Sequence, residues 1–483
     1  MHDETLRWIS ATEQAALIRA GELSAREALQ AHWSRIDAFN PALNAVIFED
    51  REVAWSEAKT ADARQAAGEP LGPLHGVPMT NKDTNETRGM PNTWGSPLLW
   101  HVVPEQDGLI VGRLRAAGAI MTGKNNVPEF AAGAHTFNEV FGVTSNPYDP
   151  SRSAGGSSGG AAAAIAAGMQ AVGDGSDMGG SLRTPASFCN ILGLRPSRGR
   201  IPLPSDNSWM WLGRTGPMAR EVLDLALMMN VLSGPDPRVP LSINEAGLDF
   251  RVGLRTGIDG IRIGWSPDVG LGLPVEPEIV RVCEQALGVF AEAGAIVEVA
   301  APNITEADMV FRQTRANDFE SSWGELVREN SALVKPEVLE NVALGQRQSA
   351  ADLRELARAR TRLEGHVRDY FDRYDLWITP TVQTLPFPAE QRWPGMVAGQ
   401  VMGDYLDWMR SVCVVSAMDV PALSVPAGFS AGGLPIGMQF VAAHGKEHLL
   451  LRAAHAFEQR TRWSRVRPGL TPSLSKGVEV VSM

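Results

Sequence analysis

The sequence predicts an α/β fold in which helices cover the faces of a central β-sheet. Helix patterns and short apolar strand patterns alternate along most of the chain, which is typical of this fold class. The 483 residues are 44% apolar and 20% charged, the composition of a globular enzyme with a large core. Because we find no repeat, low-complexity tract or long linker, we predict a single domain over residues 1–483.

The first elements follow from local signals. Ser24-Ala-Arg-Glu27 is a capping box that opens an amphipathic helix, and Asn40-Pro41 is expected to end that helix. The elements predicted next are a strand at 43–48, a helix at 50–67, a proline-rich loop from 71 leading to a short strand that ends at Lys82-Asp83, a helix at 107–117 and a strand at 119–122.

The rest of the chain continues the alternation. The predicted elements are a helix at 159–168, a strand at 170–173, a loop at 174–177, a helix after Pro217, a strand at 261–265, a helix at 276–293, a strand at 296–299, a mainly helical segment at 304–372, strands at 376–379, 422–428 and 436–443, and a helix at 448–460. We interpret residues 300–372 as a helical insertion that shapes a substrate pocket.

Composition excludes several functional classes. The net charge of −11 argues against a nucleic-acid-binding protein, and no apolar run approaches the length of about 20 residues that spans a bilayer. The three cysteines are far apart, which predicts neither a disulfide framework nor a metal site. The N-terminus lacks the pattern of a signal peptide, so we expect a cytoplasmic protein without membrane or nucleic-acid partners.

A glycine- and serine-rich run at 151–187 carries the strongest functional signal. A flexible linker would have polar neighbours, whereas this run adjoins an apolar alanine helix and a strand. A phosphate-binding loop would end in Gly-Lys-Ser/Thr, which is absent. Residues 155–159 match the G-x-S-x-G elbow, but turn-forming residues precede them where that motif needs a strand. The remaining hypothesis is a nucleophilic serine beside backbone amides.

Two serines and one lysine are the candidates for this chemistry. A helix and a strand separate Ser157 from Ser181 and could fold back to bring them together, but a serine hydroxyl is a weak nucleophile until a base takes its proton. Lys82 is the better candidate for the base. Only six lysines accompany 38 arginines, so this chain uses arginine for its surface cations and a lysine in a proline-rich turn stands out. Burial in a dry pocket would also lower the pKa of that lysine. His75 lies in a His-Gly-Val-Pro sequence, which is more typical of a turn than of a catalytic base. For Lys82, the structural alternative to a role as base is a salt bridge to Asp83.

HGVPMTNKD at 75–83, AGGSSGG at 154–160 and GSDMGGSLRTPAS at 175–187 resemble the amidase signature family in order and spacing. The resemblance extends over most of the chain, with its core at about 71–220. It implies the amidase signature fold, a mixed and largely twisted central sheet covered on both faces by helices. Bacterial members of the family that cleave aryl amides, nylon-type oligomers or carbamates are the most similar.

The resemblance also implies roles for individual residues. Neutral Lys82 takes a proton from Ser157, Ser157 takes one from Ser181, and Ser181 attacks the substrate carbonyl to form an acyl-enzyme. The implied oxyanion hole consists of the backbone amides of Met178, Gly179, Gly180 and Ser181, and the implied supporting residues are Ser158, Asp177 and Arg183. A cis peptide is expected between Gly156 and Ser157. For Asp177 and Arg183 a plain surface ion pair is the alternative. No metal or organic cofactor is needed.

The substrate is less well determined by these motifs. Thirteen tryptophans against four tyrosines favour a bulky or aryl group, and the carbamate alternative uses the same acyl chemistry. The predicted pocket-lining residues are Glu129, Phe130, Ala131, Trp209 and Trp211, with further segments at 94–100, 311–323 and 393–408. We expect a small-molecule amide or carbamate substrate and a monomer or homodimer.

Two other functions compete with hydrolysis of a free small molecule. The glutamine-hydrolysing subunit of the tRNA-dependent amidotransferase would carry an Arg before the Leu-Gly pair and an Asp before Pro-Ala, whereas Glu340-Asn341 and Met409-Arg410 lie near those places. A non-catalytic interaction module would not need all three catalytic positions, and Lys82, Ser157 and Ser181 are all present in this chain.

Overall fold

The computed structural model describes residues 6–205 and 207–470, and an eight-stranded sheet forms its centre. Its strands are β8 (Val172–Asp177), β9 (Leu192–Arg195), β10 (Arg214–Ala219), β11 (Arg262–Trp265), β12 (Ile296–Val299), β13 (Leu376–Pro380), β16 (Ala422–Phe429) and β17 (Pro435–Val441). The strand order is β12-β11-β13-β17-β16-β9-β10-β8, with parallel pairing among the first three strands and antiparallel pairing from β13 onward.

A second sheet has three strands, which are β1 (Val46–Glu49), β2 (Pro78–Lys82) and β3 (Ile120–Asn125). Their order is β1-β3-β2, and β2 runs parallel to β3. Three two-stranded pairings complete the described strands: β4 (Phe137–Asn138) with β5 (Gly142–Val143), β6 (Ser145–Asn146) with β7 (Asp149–Ser153), and β14 (Met396–Val397) with β15 (Gln400–Val401). The mixed sheet and its helices agree with the predicted fold class.

Helices lie on both faces of the large sheet. They are α1 (Ala11–Ala20), α2 (Ala25–Leu43), α3 (Arg51–Ala66), α4 (Leu109–Ala116), α5 (Gly159–Ala166), α6 (Arg183–Phe188), α7 (Val222–Leu232), α8 (Pro277–Glu292), α9 (Ala307–Glu329), α10 (Pro336–Gln346), α11 (Ala350–Phe371), α12 (Arg410–Ala417) and α13 (Glu447–Thr461). Ser187 of α6 lies 2.7 Å from where Gly437 would carry a Cβ, and Phe290 of α8 contacts Phe440. Because side chains three residues apart on a strand point to opposite faces, α6 and α8 cover opposite faces of β17.

Helix α5 lies inside the core because its side chains are small. All eight residues of GGAAAAIA are buried. A Cβ on Gly160 would lie 2.5 Å from the backbone nitrogen of Asn126 and 2.6 Å from the carbonyl oxygen of Ala45, so only glycine allows this approach to the small sheet. This packing positions Ser157 and Ser158 at the N-terminal end of α5.

The structure corrects two of the predicted boundaries. Helix α2 continues through Pro41 to Leu43, because a proline in the last turn removes only one donor and Asn44 then caps the helix in the left-handed conformation. Residues 174–177, predicted as a loop, belong to β8. Antiparallel pairing with β10 along the whole length of β8 overrides the low strand propensity of Gly-Asp-Gly-Ser-Asp.

Most other elements agree with the predictions, but the short strands β4 to β7, β14 and β15 and two strands of the large sheet were not predicted. The capping box at Ser24 is present, and the helical segment predicted at 304–372 is α9 to α11. Strands β9 and β10 are absent from the prediction, since LGLR and RTGPMA show no clear period-two alternation. Within residues 6–205 and 207–470, no helix combines the length and the apolar character that a membrane crossing requires.

Candidate active site

The site forms where strand β2 of the small sheet meets strand β8 of the large sheet. The backbone N–H of Lys82, the last residue of β2, donates to the carboxylate of Asp174 in β8 at 3.3–3.4 Å. The Asn85 side chain also donates to Asp174. These contacts connect the two sheets and place the Lys82 side chain beside the end of β8.

The Lys82 ammonium position is surrounded by serine hydroxyls. Its Nζ lies 2.8 Å from Ser157 Oγ, 2.9 Å from Ser158 Oγ and 2.9 Å from Ser176 Oγ. Lys82 itself is fully buried. Three hydroxyls at hydrogen-bond distance can accept from an ammonium, and a neutral amine can in turn accept from any one of them.

Burial lowers the pKa of Lys82 from 10.5 to about 7, although the negative charges of Asp174 and Asp177 act in the opposite direction. A charged lysine loses its hydration in this dry site, and hydroxyl partners replace only part of it. About half of the Lys82 side chains are therefore uncharged near neutral pH. An uncharged amine at this position can act as a base.

The structural alternative for Lys82 was a salt bridge to Asp83, and the geometry excludes it. The Asp83 carboxylate accepts from the hydroxyl and the backbone N–H of Thr93 instead. In the described part of the chain, no carboxylate oxygen lies within 4.0 Å of Lys82 Nζ. His75 is buried and its Nε2 contacts the carbonyl oxygen of Ala61 at 3.0 Å, which agrees with a structural role.

Ser157 and Ser181 lie on two segments that touch through the backbone. The N–H of Ser158 donates to the carbonyl oxygen of Ser181 at 3.2 Å. The peptide bond between Gly156 and Ser157 is cis, as predicted. Ser157 is 1% exposed and Ser181 is 7% exposed, so Ser181 is the more accessible of the two.

Asp177 and Arg183 form a buried ion pair. Arg183 Nε and Nη2 donate to the two carboxylate oxygens of Asp177 at 3.0 Å each, and both side chains are fully buried. Burial by itself raises the pKa of Asp177, but the charges and hydrogen bonds of Arg183 and the charge of Arg195 outweigh it and hold the pKa below its usual range. The pair is therefore buried and not on the surface, and its supporting role stays a prediction.

The same carboxylate changes the predicted set of oxyanion donors. The backbone N–H of Gly180 donates to Asp177 Oδ1 at 2.9 Å, and the N–H of Leu182 donates to Oδ2 at 3.2 Å. The Gly180 amide is therefore engaged by Asp177, because a carboxylate is the strongest acceptor within its reach. The amides of Met178, Gly179 and Ser181 make no hydrogen bond within residues 6–205 and 207–470, and these three stay predictions as oxyanion donors.

An aromatic cluster adjoins the turn that precedes Ser181. Phe130 lies against Trp323 with ring centroids 4.8 Å apart, and Trp94 contacts Trp323 at 5.2 Å. Phe319 and Met178 pack into the same apolar cluster. Met178 belongs both to this cluster and to the turn before Ser181, so the apolar surface lies next to the candidate nucleophile.

Three of the predicted pocket residues lie on one loop at this cluster. Glu129 accepts from Ser96 Oγ at 3.0 Å and from the Lys335 N–H at 2.9 Å, so it shapes the loop that carries Phe130 and Ala131. Both Phe130 and Ala131 have left-handed backbone conformations, with φ of 50° and 52°. Burial raises the pKa of Glu129.

Trp209 and Trp211 make no ring contact with this cluster in the described residues. The Trp209 side chain is 85% exposed, and Trp211 is buried under the Arg360 guanidinium, 3.8 Å from the ring centroid. Sequence position could not distinguish these tryptophans from Trp94 and Trp323, because the fold decides which loop faces the cluster.

Sequence reasoning missed Asp174, Ser176 and Arg195. Ser176 contacts the Lys82 amine directly, and Arg195 lies 3.6 Å from the Asp177 carboxylate. The available signal was the alternation Gly-Asp-Gly-Ser-Asp at 173–177, which has the period of a strand that sends Asp174 and Ser176 to one face.

Several known proteins are similar to this chain over nearly its whole length. The family model described as "Amidase" matches residues 27–451. An acylamidase from Rhodococcus erythropolis is 36% identical over 97% of this chain and 98% of its own length. A glutamyl-tRNA(Gln) amidotransferase subunit from Moorella thermoacetica is 35% identical over 96% of this chain and 99% of its own. The solved structure of a bacterial aryl acylamidase of the amidase signature family has a TM-score of 0.90 at 30% identity and covers 95% of this chain and 97% of that chain.

Proposed function

This chain belongs to the amidase signature family of amide hydrolases, and from that premise we propose that it cleaves the C–N bond of a bulky or aryl amide through Lys82, Ser157 and Ser181. The substrate is a small molecule, and the products are an acid and an amine. The single observation that carries the proposal is the buried Lys82 amine, which has hydroxyl partners and a pKa of about 7.

The first half of the reaction forms an acyl-enzyme. The uncharged Lys82 amine accepts the proton of Ser157, which lies 2.8 Å away, and Ser157 accepts the proton of Ser181. Ser181 Oγ then forms a bond to the substrate carbonyl carbon, and the carbonyl oxygen becomes an oxyanion. Free amides of Met178, Gly179 and Ser181 stabilise that charge, and each such donor typically contributes hundreds-fold in rate.

The second half restores the enzyme. The proton held by Lys82 and Ser157 passes to the leaving nitrogen as the C–N bond breaks, which releases the amine. A water molecule then attacks the acyl-enzyme, with its proton passing back along the same two groups to regenerate Ser181. Asp177 supports both steps, because its bonds to the Gly180 and Leu182 amides and to Arg183 hold the turn that carries Ser181.

Loss of Ser181 and of Lys82 tests the mechanism. Ser181→Ala abolishes hydrolysis of an acyl 4-nitroanilide, and Lys82→Met lowers kcat by several orders of magnitude, with the double variant no worse than the poorer single one. A sulfonyl fluoride labels the parent at Ser181, as mapped by mass spectrometry, and fails to label Ser181→Ala. Turnover that survives in Ser181→Ala would refute the proposal.

The aromatic cluster supports an aryl group on the substrate. Trp323 contacts both Phe130 and Trp94, so its removal opens the centre of the cluster. We expect Trp323→Ala to raise KM for aryl substrates about tenfold or more while KM for a short aliphatic amide changes little. Trp209→Ala is the matched control, because the side chain is 85% exposed, and it leaves both values unchanged. An equal effect of both variants would contradict an aryl site at the cluster.

Two alternatives have their own tests. A carbamate hydrolase would use the same acyl chemistry, so the substrate panel includes aryl carbamates beside aryl anilides. The glutamine-hydrolysing amidotransferase component is the second candidate, which the 35% identity to the Moorella thermoacetica protein favours. The side chain of Asn341, near the place where such a component would carry an Arg, donates to Tyr405 Oη at 2.6 Å and supplies no positive charge. Glutaminase activity or copurification with a second subunit would support that candidate.

A further inference from the structure

One face of helix α9 follows the turn that leads to Ser181. Phe311, Arg315 and Phe319 recur every four residues and therefore share this face. A Cβ on Gly179 would lie 2.7 Å from Phe311 Cζ, and Arg315 Nη1 lies 3.1 Å from Met178 Sδ. The Arg315 guanidinium therefore lies beside the candidate oxyanion turn and next to the aromatic cluster.

The hydrogen bonding of Arg315 is incomplete. The residue is 3% exposed, its Nε donates to Tyr405 Oη at 3.0 Å, and its Nη1 has only the thioether of Met178. Nη2 is buried and has no partner in residues 6–205 and 207–470, nor does a carboxylate there lie within 4.0 Å of the guanidinium. A buried cation with weak or missing acceptors is unfavourable unless a further group satisfies it.

Other buried arginines of this chain show the contrast. Arg183, Arg200 and Arg214 each contact a carboxylate, from Asp177, Glu447 and Asp419 respectively. Each of these three arginines thus has a carboxylate partner, although the Nε of Arg214 is buried without a hydrogen-bond partner in the described residues. Arg315 differs from them because no carboxylate of the described residues pairs with it, and it contacts Met178 in the turn before Ser181.

No carboxylate of residues 6–205 and 207–470 forms an ion pair with Arg315. Asp318, one turn further along α9, has a buried Oδ2 without a partner in that part of the chain, and burial raises its pKa to about 7, although the nearby charge of Arg315 acts in the opposite direction. Lys335 is partly buried, and its Nζ donates to the carbonyl oxygen of Ala132 at 2.6 Å rather than to a carboxylate. Burial lowers the pKa of Lys335, although the nearby charges of Glu337 and Glu129 act in the opposite direction, and Arg315 is the cation in contact with Met178.

We infer that Arg315 determines specificity by binding an oxygen acceptor, preferably a carboxylate, on the acyl group of the substrate. The apolar part of that acyl group lies against Phe319 and Phe130, and its far end meets the guanidinium, which stacks on the Phe319 ring at 4.3 Å. A planar guanidinium with a free N–H suits a carboxylate, which it can bind through two hydrogen bonds. The inference rests on the proposed amide hydrolysis, since it names the substrate class of that site.

Matched substrates test this inference. Glutaryl and pentanoyl 4-nitroanilides share leaving group and chain length and differ in the terminal carboxylate. We expect the parent to have a kcat/KM for the glutaryl substrate about tenfold or more above that for the pentanoyl substrate. The difference should arise from a lower KM for the glutaryl substrate, with similar kcat values for the two. Arg315→Met abolishes that preference and changes the pentanoyl value less than about threefold, whereas Arg315→Lys keeps part of the preference.

A control and a binding measurement complete the experiment. Arg328 lies on the same helix, is exposed and pairs with Glu320, so Arg328→Met leaves the preference unchanged. Binding of both anilides to Ser181→Ala, followed by calorimetry, needs no turnover. If Ser181→Ala binds the glutaryl compound more tightly but the parent does not hydrolyse it, the proposed amide hydrolysis is refuted. The inferred role of Arg315 in binding would still be supported.

Two results would overturn the inference itself. One is a parent that prefers the pentanoyl substrate or treats the two compounds alike in both turnover and binding. The other is an equal loss for both substrates in Arg315→Met and Arg315→Lys, which would mean that Arg315 only holds Met178 in place. The parent's preference is measured without any variant, so failure of a variant to fold does not prevent the test.

Discussion

The protonation state of Lys82 predicts how activity depends on pH. The mechanism needs an uncharged amine, and burial lowers the pKa of Lys82 from 10.5 to about 7. The perturbation is therefore pH itself, combined with removal of the neighbouring negative charge in Asp174→Asn. Because Asp174 raises the pKa of Lys82, its neutralisation moves the pKa further down.

The size of the effect follows from the two pKa values. An unperturbed lysine with a pKa of 10.5 is uncharged in about one molecule in 3,000 at pH 7, whereas Lys82 is uncharged in about half. Below pH 7 the uncharged fraction falls about tenfold per pH unit. We therefore expect kcat/KM at about pH 5.5 to be roughly 30-fold below its plateau at about pH 8.5.

The assay is 4-nitroaniline release at substrate concentrations well below KM, since kcat/KM reports the ionisation of the free enzyme. The parent gives an acidic limb centred near pH 7, and Asp174→Asn gives one centred at lower pH. Thermal unfolding measured across the same range shows that the protein stays folded. A flat profile between about pH 5.5 and 8.5, or a limb centred above about pH 9, would refute an uncharged Lys82 as the base.

Two further substitutions test the support of the Ser181 turn. Asp177→Asn leaves buried Arg183 without its carboxylate, so we expect urea denaturation to show that the free energy of unfolding falls by about 3–5 kcal/mol. The control is Glu298→Gln, which breaks an exposed ion pair with Arg262 and lowers the free energy of unfolding by under about 1 kcal/mol. Equal losses in the two variants would contradict a stabilising role for the buried pair. Gly180→Ala places a Cβ 2.3 Å from Val412 Cγ2 at a φ of 95°, so both thermal stability and kcat fall, while Gly213→Ala, whose Cβ meets no atom within 4 Å, retains both. A fully active Gly180→Ala protein would show that the turn tolerates displacement.

Local sequence signals were sufficient for much of the fold and for the principal site residues. Helix α2 begins at its capping box because Ser24 and Glu27 satisfy each other's backbone groups within one turn. Strong helical periodicity likewise identified α8 and the helices of residues 304–372. Lys82, Ser157 and Ser181 were candidates because a rare lysine and two serines beside glycines stood out, and their order and spacing resemble those of the amidase signature family.

Tertiary structure decided what those residues contact. Residues 174–177 become a strand only because β10 pairs with them, and that pairing brings Ser176 to Lys82. The same folding engages the Gly180 amide with Asp177, which no local pattern indicates. The sequence by itself determined which groups could do chemistry, since backbone turns and side-chain types are local properties. Burial, hydrogen-bond partners and the lowered pKa of Lys82 arise from segments distant in the chain, so only the packed structure decided them.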